Sequence, residues 1–160
     1  MAFPNDRTYS FDINLVLSDG ILPLTATGYA QANGQSAILD LGGNQGTNPQ
    51  QRARIDAVAV IDVTTIKTSA GNEKYNLMVL VSNDPAFGAG NVEMAAEISL
   101  GAGAARDGIN MLTSPIGRIE LPFCTQIAGM LYEFAALYIV EAGTLPSITV
   151  SSFVAVLMEP

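Results

Sequence analysis

Leu131-Tyr132-Glu133-Phe134-Ala135-Ala136-Leu137-Tyr138-Ile139-Val140 is the stretch on which the fold turns. It is almost wholly apolar, rich in aromatic and branched residues, and flanked by Gly129 and Gly143. A run of that kind reads as a strand covered on both faces. It is the middle of three closing strands with tight connections, expected at Ile116–Phe123, Leu131–Glu141 and Ser147–Met158. Side chains alternate along a strand. Tyr132, Phe134, Ala136, Tyr138 and Val140 make one wholly apolar face, expected to be core. Leu131, Glu133, Ala135, Leu137, Ile139 and Glu141 make the other, where two carboxylates stand on an apolar background. That mixed face is the expected subunit interface; half-cover by a loop of the same chain is the alternative.

Upstream, the chain reads as strands punctuated by turns. Thr8–Leu17 alternates weakly, Ser18-Asp19-Gly20 signals a turn, and Ile21–Gln31 is extended with Pro23 near its start. Asn33-Gly34 is the strongest short hairpin signal, and Gln35–Leu41 returns from it. The segment from Gly42 to Gln51 is aperiodic and reads as a loop. Arg54–Ile66 is a long strand, Thr68–Lys74 a polar hairpin loop, and Tyr75–Val81 a strand ending at Ser82-Asn83-Asp84-Pro85. Asn91–Leu100 competes as an alanine-rich helix, but its regular alternation favours a strand. Gly101 to Pro115 is expected to be flexible. Eight or nine strands without a long helix predict an all-β, single-domain sandwich over residues 1–160, most simply a jelly-roll-like one. An up-and-down barrel is the alternative, and residues 1–7 are expected to be a loosely ordered arm.

At 160 residues the chain suits one domain. Only 14% of residues are charged, against about 25% in an ordinary domain. The surface is therefore short of charge, as expected where other chains cover part of it. The net charge is −8 and the seven basic residues are scattered, so neither a nucleic acid nor an anionic membrane is an expected partner. Cys124 is the only cysteine, which rules out an intrachain disulfide and suits a reducing compartment. The first residues lack the pattern of a signal peptide.

With no histidine, neither a Ser-His-Asp nor a Cys-His arrangement can be built. Cys124 follows Leu-Pro-Phe and reads as a buried structural thiol. Asp12/Asp19, Asp56/Asp62, Asp84/Glu93 and Glu133/Glu141 are the carboxylates that pairing could use. No Asp-x-Asp-x-Asp-Gly loop is present for calcium, and the Gly-rich loop lacks a following helix and a Lys-Ser/Thr pair for phosphate. The expectation is no catalytic residue, no metal and no cofactor.

Four segments carry a family resemblance. Val79-Leu80-Val81-Ser82-Asn83-Asp84-Pro85-Ala86-Phe87 comes first, then Gly117-Arg118-Ile119-Glu120-Leu121-Pro122-Phe123. Leu137-Tyr138-Ile139-Val140 and Ala142-Gly143-Thr144-Leu145-Pro146-Ser147-Ile148 follow. In that order they resemble the small jelly-roll capsid cement, or decoration, proteins of tailed bacteriophages, over Tyr75–Leu157. The resemblance implies a homotrimer that clamps the outer surface of an icosahedral shell and contacts the major capsid protein. It also implies a virion location, synthesis in the bacterial cytoplasm and no enzyme activity. A lectin-like or receptor-binding jelly roll on the virion surface is the alternative function, and a carboxylate-dependent glycan hydrolase the third.

Overall fold

The structure is a computed structural model, and it describes residues 12–42, 54–88, 90–102 and 116–156. The strands are β1 (Val16–Asp19), β2 (Gly28–Tyr29), β3 (Gln31–Ala32), β4 (Gln35–Ser36), β5 (Ile38–Asp40), β6 (Asp56–Ile66) and β7 (Lys74–Ser82). Then come β8 (Val92–Gly101), β9 (Gly117–Cys124), β10 (Gln126–Ile127), β11 (Met130–Leu131), β12 (Phe134–Ala142) and β13 (Ile148–Val156). One sheet has the order β1-β13-β6-β9. The other has β2-β12-β7-β8, with β5 also paired to β12. Every pairing is antiparallel.

β2 and β5 are two halves of one interrupted strand. Tyr29 pairs with Tyr138 and Ile38 with Ala136, while Leu137 O accepts from Ala30 N between them. The chain leaves the sheet after Ala30, makes the β3–β4 hairpin and returns at Ala37, whose N–H donates to Ala30 O. With β2 and β5 merged, the main strands pair first with last, second with seventh, third with sixth and fourth with fifth. This is the pairing of one long hairpin rolled into two sheets, a jelly-roll-like all-β sandwich.

The core lies between the sheets. Ala57, Ala59, Ile61 and Val63 of β6 face Tyr75, Leu77, Val79 and Val81 of β7 within one buried cluster. Strands β9, β12 and β13 add Leu121, Leu137 and Val154 to it. Pro122 sits in β9, at the edge of its sheet, where a missing N–H leaves the ladder intact.

Several expectations are corrected. Ile13–Leu15 is a 3-10 turn capped by Asp12, whose Oδ1 accepts from Asn14 N at 2.9 Å. Ser18 and Asp19 belong to β1 instead of a turn. Most of Ile21–Gln31 lies outside strands, with only the bridge Leu24↔Ile148 and the short β2 and start of β3. The polar segment before Lys74 is no hairpin: β6 and β7 lie in different sheets, so it crosses between them. Asn91–Leu100 is strand, as its alternation predicts. The expectations for residues 1–7, for most of the loop from Gly42 to Gln51 and for most of 101–115 lie outside the described residues.

Candidate interaction surface

β12 decides which face is buried, and the answer reverses the sequence reading. Ala135, Leu137 and Ile139 are fully buried in the core cluster. They cannot meet another subunit while the sandwich is closed. Phe134, Tyr138 and Val140 point outward and stay partly exposed, with Ala136 buried in the same row. Two carboxylates set the expected interface face apart, and they mark only the two ends of the strand region. Glu133 precedes β12, in a break where its N–H donates to Asn83 Oδ1 at 3.0 Å and its carbonyl accepts from Leu41 N at 2.9 Å. Leu131 pairs with Gln126 in the small β10–β11 hairpin and is half-buried. Tyr132, expected on the core face with Phe134, is buried but lies before β12 begins.

The outward face is built from four rows. Register places Met78 opposite Tyr138 and Leu80 opposite Ala136 on β7, and Tyr29 opposite Tyr138 on β2. Tyr29 and Tyr138 meet edge to face, their centroids 4.8 Å apart. Phe87 closes on Tyr29 from the other side, at 5.7 Å. A tight loop delivers Phe87: Asp84 accepts from Ala86 N and Gly88 N through its two carboxylate oxygens and from Phe87 N through its carbonyl. The φ of Phe87 is +50°, a costly value for a bulky residue. Burial, and to a lesser degree Tyr138, raises the Tyr29 pKa above the usual phenol value. The result is a sheet face that is apolar and aromatic over β2, β12 and β7 and carries the exposed Glu97 of β8 opposite Met78. A shorter apolar edge lies near the Leu24↔Ile148 bridge, where Ile21, Leu22 and Leu145 are exposed.

Asp56, Asp62 and Asp19, among the carboxylates singled out in sequence, do local structural work. Asp56 binds Arg54 at 2.7 Å, and Asp62 takes both Nε and Nη2 of Arg118 at 2.9 and 2.8 Å. Asp19 accepts from Ile21 N at 3.0 Å and Asn33 N at 2.7 Å, pinning the β3–β4 hairpin to β1. Among the described residues no three His, Cys, Asp or Glu side chains gather as a metal site would require. Cys124 is partly exposed, its Sγ 3.1 Å from Gln126 O, so the buried setting expected for it is corrected: it takes the outward position opposite Asp56.

Sequence reasoning missed a group at one end of the sandwich. Tyr75 is fully buried; its hydroxyl lies 2.7 Å from Lys67 O and accepts from Ser147 N at 2.9 Å. It thereby ties the crossover between the sheets to the start of β13. Glu141, opposite Tyr75 in the ladder, has both carboxylate oxygens buried without a hydrogen-bond partner, and this burial raises its pKa. Glu73 is fully buried and accepts from Ala70 N at 2.9 Å. Burial pushes its pKa up, but the N–H groups of Ala70, Glu73, Gly71 and Asn72 outweigh this and hold it below the usual range. Burial raises the Tyr75 pKa, with Glu141 and Glu73 adding to the effect and the Ser147 and Lys67 bonds opposing it. The sequence signal was available: Glu141 shares the inward alternation of Leu137 and Ile139.

In comparison with known proteins, the chain matches no family model, no curated protein and no solved structure.

Proposed function

We propose that this chain is a structural virion protein, a cement protein that binds the outer surface of an icosahedral phage capsid as a homotrimer and strengthens contacts between major capsid protein subunits. The observation that carries the reading is an acidic, charge-poor jelly roll whose outer sheet face is apolar around Phe134, Tyr138 and Val140. An exposed face of that kind suits association with protein surfaces. The four segments of the family resemblance support the reading from the sequence side. They fall on the end of β7 with its Phe87 turn, on β9, on β12 and on the approach to β13. Repetition over a shell lets modest individual contacts sum, because each trimer engages several capsid subunits at once. Co-sedimentation with purified empty capsids tests the proposal. Saturable binding at a fixed ratio of protein to capsid subunit is expected. Failure to bind any capsid, combined with saturable glycan binding, would replace it with the lectin-like reading.

A further inference from the structure

At one end of the sandwich the turn from Gly143 to Ser147 joins β12 to β13. Polar contacts pin it. Asn72 Oδ1 accepts from Thr144 N and Asn72 Nδ2 donates to Thr144 Oγ1, both at 3.1 Å. Ser147 N donates to the Tyr75 hydroxyl at 2.9 Å, and Ser147 O accepts from Lys67 N at 2.9 Å. Ala142 to Leu145 are exposed, and the φ of Leu145 is +53°. A segment with strained backbone, exposed bonds and little buried apolar surface belongs to the part of a fold that opens locally.

Glu141 stands at the base of this turn. Its main chain is engaged: Thr27 Oγ1 accepts from its N–H at 2.9 Å and donates to its carbonyl at 3.2 Å. Its carboxylate is not, because both oxygens are buried without a hydrogen-bond partner. The described elements around it bring no bonded cation. On β7, Tyr75 lies opposite and Glu73 precedes it on the same inward alternation, while Lys74 alternates outward. Burial opposes ionisation of Glu73, but the N–H groups of its loop outweigh this, so it adds negative charge to that end. The crossover brings Lys67, whose main chain is bonded to Tyr75 and Ser147 and whose ammonium makes no bond to Glu141. Leu24 to Gly28 and the turn itself carry no titratable side chain. An ionised Glu141 therefore gains most by reaching water, and the turn is the weakest part of its cover. We propose that the β12–β13 turn is a pH-dependent flap, closed over Glu141 while its carboxyl is protonated and opened locally when the carboxylate ionises. Opening releases Ser147 from Tyr75 and Lys67 and shifts Leu145, which is part of the apolar edge with Ile21 and Leu22. The device is independent of the capsid reading. Burial raises the Glu141 pKa in the closed state, whereas in the open state it is an ordinary carboxyl. Opening is thus rarest below about pH 4. It rises by up to about tenfold per pH unit above that and levels off once the pH passes the raised closed-state value.

The test is residue-resolved amide hydrogen exchange of the full chain across the titration, corrected for the intrinsic pH dependence of exchange. Protection at Thr144 and Ser147 is expected to be lower than at Leu137 and Val79, and insensitive to low urea. It is expected to fall with rising pH by up to about tenfold per unit. In Glu141→Gln the same two amides keep constant protection. The Glu141 carboxyl carbon, followed in the unsubstituted chain, is expected to titrate at the pH where the fall levels off, which gives a readout that needs no variant. Protection at Thr144 and Ser147 equal to that of Leu137 and Val79 overturns the proposal, because the turn then opens only when the whole fold does. So does protection that ignores pH in the wild type, an equal fall in Glu141→Gln, or a carboxyl titration at the ordinary value. None of these outcomes touches capsid binding, which is read in a separate experiment.

Discussion

Glu141 is the residue whose chemistry conflicts most with its position. Both its carboxylate oxygens are buried and unpartnered, and its pKa is raised. The folded state therefore holds this proton more tightly than the unfolded chain does. That contribution is fully present below the ordinary carboxylate pKa and is lost as pH rises through the raised folded value. Glu141→Gln is thus more stable than the wild type at pH 8, and the gap closes as the pH falls below about 4. Urea midpoints at the two pH values read this directly; an equal gap at both would remove the buried-charge account. Tyr75→Phe tests the neighbouring tether. It leaves Ser147 N and Lys67 O without their hydroxyl partner and costs about 1–3 kcal/mol in the same assay. The inward position of Glu141 was legible from its parity with Leu137 and Ile139. The sequence could not show that Tyr75 would close over the crossover beside it.

At the scale of elements, local turn chemistry was the readable part. Asn33 and Gly34 have φ of +53° and +73° and close β3–β4 as their dipeptide predicts. A Cβ on Gly34 would meet nothing within 4 Å, so Gly34→Ala costs only the backbone strain, about 1 kcal/mol. Gly143 is different. Its φ is +107°, and a Cβ there would lie 2.5 Å from Asn72 O and 2.7 Å from Glu73 Cα. Gly143→Ala is therefore expected to cost several times more than Gly34→Ala, read as the shift in thermal midpoint; equal shifts would contradict this packing. The β10–β11 hairpin escaped notice because Ala128, at φ +50°, replaces the usual Asn before Gly129. The crossover from β6 to β7 resembled a hairpin for a related reason. A polar turn specifies a reversal of direction, and only the packing of the strands decides whether the chain returns to the same sheet.

For the whole molecule, the sandwich and its eight main strands could be read from punctuation and alternation, but the short β3, β4, β10 and β11 were not all counted. The order of strands could not, because it follows from long-range pairing such as β1 with β13. Nor could the choice of face on β12. Large aromatic residues suggested the core, yet the inner layer is filled by Tyr75, Leu77, Leu137 and Ile139, and the aromatic residues Phe134 and Tyr138 lie outside it. Leu137→Ala should therefore cost about 2–5 kcal/mol in unfolding free energy, as expected for a fully buried leucine. The two faces of one strand can be separated in a single sedimentation-velocity comparison of Leu137→Asp and Tyr138→Asp with the wild type. Leu137→Asp is expected to sediment as an expanded or aggregated chain. Tyr138→Asp is expected to remain compact and lose its self-associated species. A compact Leu137→Asp protein that loses only its association, beside a Tyr138→Asp protein that unfolds, would contradict the account.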